Sequence, residues 1–153
     1  MQPQRNGDMQ LGVLLLRVVL GALLVVTGLL KIGHAPDLAA AIAGFRLLPP
    51  PAIQPIAVIL PFFEVLLGLY LFVGLFTRVA GWVAAAQFVL YGGAIASAVV
   101  RGIPANCGCF GPSDQATADW PHVAFDLALA AIAFIIARYG PGLFAIDRRF
   151  LTS

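Results

Sequence analysis

Apolar residues run in four long blocks separated by short polar stretches, and each block is long enough to cross a bilayer. A span needs about 20 apolar residues to cross roughly 30 Å of hydrocarbon. The blocks cover residues 11–32, 53–76, 79–100 and 121–139. Lipid offers no partner for backbone polar groups, so these blocks are predicted to be helices. The fourth is the shortest and carries Asp126 near its start. Only Thr77 and Arg78 separate the second from the third, which predicts an antiparallel hairpin. The first connection, 33–52, holds a run from Asp37 to Phe45 that reads as a surface helix, then Pro49, Pro50 and Pro51. The third connection, 101–120, is polar and irregular, with Pro104, Cys107, Cys109, Gly111 and Pro112. The tail after Gly140, with Asp147, Arg148 and Arg149, reads as a segment at the membrane surface. The pattern predicts an all-α membrane protein, a four-transmembrane-helix antiparallel bundle forming a single domain over residues 1–153.

Composition agrees. The chain is 61% hydrophobic and only 10% charged, where soluble domains carry roughly a quarter charged residues. The mean hydropathy of +0.96 points the same way. A net charge of +2, with the basic residues scattered, does not argue for nucleic acid, and no phosphate-binding Gly-rich loop or nucleotide fingerprint is present. The first block differs from a cleaved signal peptide: its apolar core is too long, it contains Arg17, and no small-residue cleavage site follows.

Lys and Arg accumulate on the cytoplasmic side of membrane proteins. With the N-terminus inside, that side holds Arg5, Arg78, Arg138, Arg148 and Arg149, against Lys31, Arg46 and Arg101 outside. The expected topology is N-in/C-in. It places Cys107 and Cys109 outside, where disulfides form and persist.

Charges inside a membrane are costly and face the bundle interior. On the first block Arg17, Gly21, Leu24, Gly28 and Lys31 share one stripe, and the small residues let another helix approach closely. Glu64 lies near mid-membrane on the second block, and a buried Arg17–Glu64 pair is the expectation. Such a pair either fixes helix register or belongs to an ion or proton path. On the third block Gln87 sits in a stripe with Ala80, Ala84, Tyr91, Ala94 and Ala98, which reads as a packing seam. On the fourth, His122 and Asp126 stand one turn apart on a face with Ala130, Ala133 and Ala137. They read either as a helix N-terminus, which favours acidic groups, or as a base with its orienting acid, tuning a nearby thiol.

The run Asn106-Cys107-Gly108-Cys109-Phe110-Gly111-Pro112 carries the most chemistry. Thiol–disulfide exchange needs an attacking and a resolving thiol, and two cysteines one Gly apart supply both. The ring they close is small and strained, and strained disulfides are the labile ones. Gly108 permits the tight turn. Arg101, and His122 with it, are candidates for lowering a thiol pKa. Three other readings stand beside this one. A structural disulfide here closes almost no loop and so stabilises little. A zinc site would draw on His34 and His122 and lacks the usual C-x₂₋₄-C spacing. Inert cysteines are the third.

The chain resembles the DoxX-like integral membrane proteins, and within them the methylamine-utilisation protein MauE branch. The residues that carry the resemblance are Arg17, Gly21, Gly28 and Lys31; Phe45-Arg46-Leu47-Leu48-Pro49; Pro61, Glu64 and Leu67-Gly68; and the stretch from Arg101 to Gly111 ending in Cys-Gly-Cys-Phe-Gly. The last points to the MauE branch. The resemblance implies a four-helix protein of the bacterial inner membrane, linked to disulfide maturation of secreted partners and working with a periplasmic thioredoxin-like protein. It implies a redox role for Cys107 and Cys109 and carries Arg17 and Glu64 only as motif positions.

Three functions follow. The first is a membrane thiol–disulfide oxidoreductase whose Cys107/Cys109 pair exchanges electrons with a secreted thioredoxin-like or maturing client protein. Electrons leaving the pair into the membrane call for a quinone, since no second thiol pair exists; Phe110 and Trp120 are the candidate contacts. The second is a non-catalytic assembly subunit of a maturation complex, in which the cysteines are dispensable. The third is a small transporter built on Arg17, Glu64 and Gln87, against which the helices show no convincing repeat.

Overall fold

A computed structural model describes residues 2–108 and 116–147, with side chains from Gly7 onward. It contains α1 (Gln2–Lys31), α2 (Ala35–Gly44), α3 (Pro50–Val73), α4 (Thr77–Val100) and α5 (Trp120–Tyr139). Four of these, α1, α3, α4 and α5, are long and apolar enough to cross a membrane. The expected segments are therefore present. The first helix begins earlier than its apolar block, because the polar residues before Leu11 continue the same helix. The short run in the first connection is the helix α2.

Each helix starts and stops for local reasons. Pro50 and Pro51 open α3, where a missing N–H costs nothing. Gly74 closes it in the left-handed conformation, with φ +74°. Asp119 caps α5 by accepting the backbone N–H of His122 at 3.0 Å. The cap of α4 is remote in sequence: Asp147 accepts the backbone N–H groups of Phe76 and Thr77 at 2.7 and 2.8 Å. Asp147 of the tail is thus tied to the α3–α4 turn.

That turn is as short as expected, yet the helices it joins are not the ones that pack most closely. The tight pairs are α1 with α3 and α4 with α5. Small residues decide this. A Cβ added to Gly68 would stand 2.7 Å from the Gly21 carbonyl oxygen, and one on Gly28 would stand 2.8 Å from the Pro61 carbonyl oxygen. On the other seam, a Cβ on Gly81 would meet the Ala137 backbone nitrogen at 2.8 Å. The stripe expected on α1 is the first of these seams, and Arg17, Gly21, Leu24, Gly28 and Lys31 are all buried; on α4 the seam toward α5 uses Gly81, outside the stripe expected there. Between α3 and α4 the packing is loose and leaves apolar cavities.

The antiparallel helices place the connections at two ends. One end holds the start of α1, the α3–α4 turn and the tail; the other holds α2 and the cysteine-bearing loop.

Candidate functional site

At the cysteine end the two described flanks of the loop, up to Gly108 and from Ala116, are paired with each other. Asn106 bridges Thr117 in antiparallel fashion. The Cys107 N–H donates to the Ala116 carbonyl at 2.8 Å, and the Ala118 N–H to the Ala105 carbonyl at 2.8 Å. Cys107 is buried beside Ile95 and Val123 and is disulfide-bonded. Cys109 is the other cysteine of the chain and lies outside the described residues, as does Phe110. Gly108 has φ +62°, the tight turn expected of it. Arg101 ties the end of α4 to the end of α2, donating to the Phe45 carbonyl and, at 3.0 Å, to that of Ser97. Both of these bonds are to backbone carbonyls rather than to a thiol.

The buried charges pair differently from expectation. Glu64 does not meet Arg17. It binds Lys31, whose Nζ lies 2.9 Å from both carboxylate oxygens. The reason is side-chain direction. Helical side chains lean toward their own N-terminus, so in this antiparallel pair Lys31 on α1 and Glu64 on α3 lean toward each other. Arg17 leans away, toward the opposite end. Its guanidinium donates to the carbonyls of Pro141 at 2.7 Å and Leu143 at 3.3 Å. Lys31 is therefore a buried cation rather than one of the outer loop charges, and its place on the Arg17 stripe is the signal in the sequence that it faces inward.

Gln87 and Tyr91 complete the cluster. The Tyr91 hydroxyl donates to Glu64 Oε1, and Gln87 Nε2 reaches Glu64 Oε1 at 3.2 Å and the Tyr91 hydroxyl at 3.0 Å. Glu64 is 1% exposed and Lys31 5%. A charge this deep persists only when paired and hydrogen-bonded, and this carboxylate has an ammonium, a phenol and an amide on it. In the sequence Tyr91 stands out only as part of a packing stripe.

His122 is not oriented by Asp126. Its ring bonds Asp119, and His122 holds the Asp119 carboxyl below the ordinary aspartate range through ring and backbone hydrogen bonds. Asp126 points into the bundle, where its Oδ2 is buried without a hydrogen-bond partner among the described residues. It shares a cavity of about 30 Å³ with Lys31, Glu64 and Tyr91.

Two larger cavities flank the cysteine loop. One, of about 350 Å³, is a polar vestibule between α2 and the loop, lined by His34, Asp37 and Asn106 among others. The other, of about 340 Å³, is apolar, lies under α2 between α3 and α4, and has Cys107 on its wall. Lys31 lines all three spaces. Trp120 lines none of these.

A bundle of four membrane helices with a pinned disulfide loop at one end narrows the comparison with known proteins. The family model "Methylamine utilisation protein MauE" matches residues 9–139. The chain belongs to this family. A MauE relative, "Methylamine utilization protein MauE" of Paracoccus denitrificans, is 32% identical over 123 residues, which cover 80% of this chain and 66% of the relative. The chain thus spans a little under two thirds of that MauE protein's length. No solved structure matches the chain.

Proposed function

We propose that this MauE-family chain is a membrane thiol–disulfide exchange component whose Cys107/Cys109 pair cycles between disulfide and dithiol. The observation that carries the reading is the disulfide-bonded Cys107, held at a fixed place by backbone pairing on both sides of the loop, over two cavities. A disulfide across so short a loop adds little stability, so chemistry is the better reason for it. A client thiolate attacks the disulfide, one cysteine leaves as a thiolate, and a mixed disulfide forms. A second client thiolate resolves it, so the client leaves oxidised and the pair is left reduced.

The client we propose is a thioredoxin-like carrier or a maturing secreted enzyme, in the methylamine-utilisation setting that the family name carries. The wider DoxX-like likeness belongs to the same proposal. The orientation is N-in/C-in in the bacterial inner membrane, with the loop on the periplasmic side, supported by the excess of Arg on the opposite side. Single Cys107→Ser and Cys109→Ser variants test the reading. One of them should trap a client as a mixed disulfide visible on non-reducing gels. Client disulfides that form normally in both variants would leave the assembly-subunit reading standing instead.

A further inference from the structure

The 340 Å³ cavity lies inside the size range of small-molecule pockets, about 300–1,000 Å³. Its walls are apolar except at one place, where Lys31 and Tyr91 stand, and Cys107 lies on the same lining. Leu48 and Leu90 on its rim are exposed on the outer surface of the bundle, on the side that meets lipid. Further in, the same two helices enclose a second apolar cavity of about 260 Å³, lined by Phe63, Tyr70 and Val79 among others. The space therefore suits a molecule with a compact polar head and a long apolar tail. Lys31 has three N–H donors and spends two of them on the two Glu64 oxygens, which leaves one for an acceptor in the cavity.

We propose that this cavity binds a membrane quinone, with its head between Cys107 and Lys31 and its tail along the α3/α4 groove. The proposal rests on the exchange reading above and names the electron acceptor for it. The reduced pair loses both S–H bonds and gains the S–S bond. Its two electrons and two protons pass to the two quinone oxygens, and a hydroquinone leaves into the bilayer. The Lys31 ammonium stabilises the oxygen on which negative charge develops, and the Glu64–Tyr91–Gln87 cluster holds that ammonium in place. The direction is thus oxidising: clients gain disulfides and the quinone pool receives the electrons. The site lies on the α3/α4 side of Cys107, away from Trp120.

The full chain, reduced and held in lipid nanodiscs, tests this with a short-tailed benzoquinone. Quinone absorbance and alkylatable thiols are followed together. The wild type should reduce one quinone for each thiol pair it closes. Ala94→Trp fills the cavity from α4, and Leu60→Trp fills it from α3. Either should slow the reaction at subsaturating quinone by about tenfold or more, with re-oxidation by glutathione disulfide unchanged. Asp37→Ala, in the vestibule, should change neither. Exchange with glutathione but no quinone reduction in the wild type overturns the site, and so does quinone reduction that both Trp variants leave intact; lipid acyl chains then fill the cavity. A pair that does not exchange with glutathione overturns the site together with the reading it rests on.

Discussion

The two ends of the bundle each bury one cation of α1, and they use it differently. At the tail end Arg17 is spent on two backbone carbonyls, of Pro141 and Leu143. The guanidinium packs against Gly74, where φ is +74° and an added Cβ would stand 2.8 Å from the Ala145 Cα, so only glycine fits. Asp147 then closes the turn by capping α4. Everything there is backbone held by side chain, and it reads as a clasp. At the cysteine end Lys31 meets a carboxylate that two further side chains also hold, and three cavities border it. The lesson is that burial of a charge alone does not mark a functional site. Both cations are almost wholly buried; what differs is whether open space and redox-capable groups adjoin them.

The largest effects should come from breaking the Lys31–Glu64 pair. Lys31→Met leaves a buried carboxylate unpaired and should cost about 3–5 kcal/mol, as should Glu64→Leu. The double variant should recover most of that loss, measured by unfolding in mixed micelles. If both single variants unfold like the wild type, the pair contributes nothing and the contrast between the ends fails.

The seams come next. Gly68→Ala must force α1 and α3 apart, since the new Cβ meets the Gly21 and Val25 backbones, at about 1–3 kcal/mol. Gly93→Ala meets nothing within 4 Å and should stay within about 0.5 kcal/mol of the wild type. The same micelle unfolding assay compares them. Asp147→Ala removes the α4 cap and should cost about 1 kcal/mol, and it should leave the redox behaviour of Cys107 unchanged, because the clasp is at the other end. A shifted thiol–disulfide equilibrium in that variant would join the two ends into one device.

The smallest effect is one of pH. Asp119 has a folded pKa below its unfolded value of about 3.9, through its bonds to His122. Its contribution to the start of α5 is fully present above the unfolded value and fades as pH falls through the depressed folded one. Melting curves of wild type and Asp119→Ala should therefore keep a constant gap from neutral pH down to about pH 4 and converge only in stronger acid. A gap that changes near neutrality would point to another group.

Much of the fold was legible because length and hydropathy alone define membrane spans, and because small residues at helical spacing mark seams. Arg17, Gly21, Gly28 and Lys31 lie buried on one stripe as read. The hairpin expected of the second and third blocks is present, and its two helices each pack more closely on another partner, since Gly68 chooses Gly21 and Gly81 chooses Ala137. Glu64 pairs with Lys31 rather than Arg17 because side-chain direction, which spacing alone does not carry, chooses the partner. His122 found Asp119 rather than Asp126 because a cap lies on its own turn. The apolar cavity beside Cys107 was beyond the sequence altogether: α2 roofs it and α3 and α4 pack loosely beneath it, and neither fact leaves a local pattern.

The proposed function requires a cysteine pair that cycles on the outer face. Its most direct test is the redox state of Cys107 and Cys109 in intact membranes, read with a membrane-impermeant, mass-adding thiol reagent across a series of glutathione buffers. Label should enter only after reduction, with a midpoint among exchange catalysts, about −120 to −270 mV. Thiols that resist the reagent after reduction, or a midpoint below about −300 mV as in structural disulfides, would contradict it.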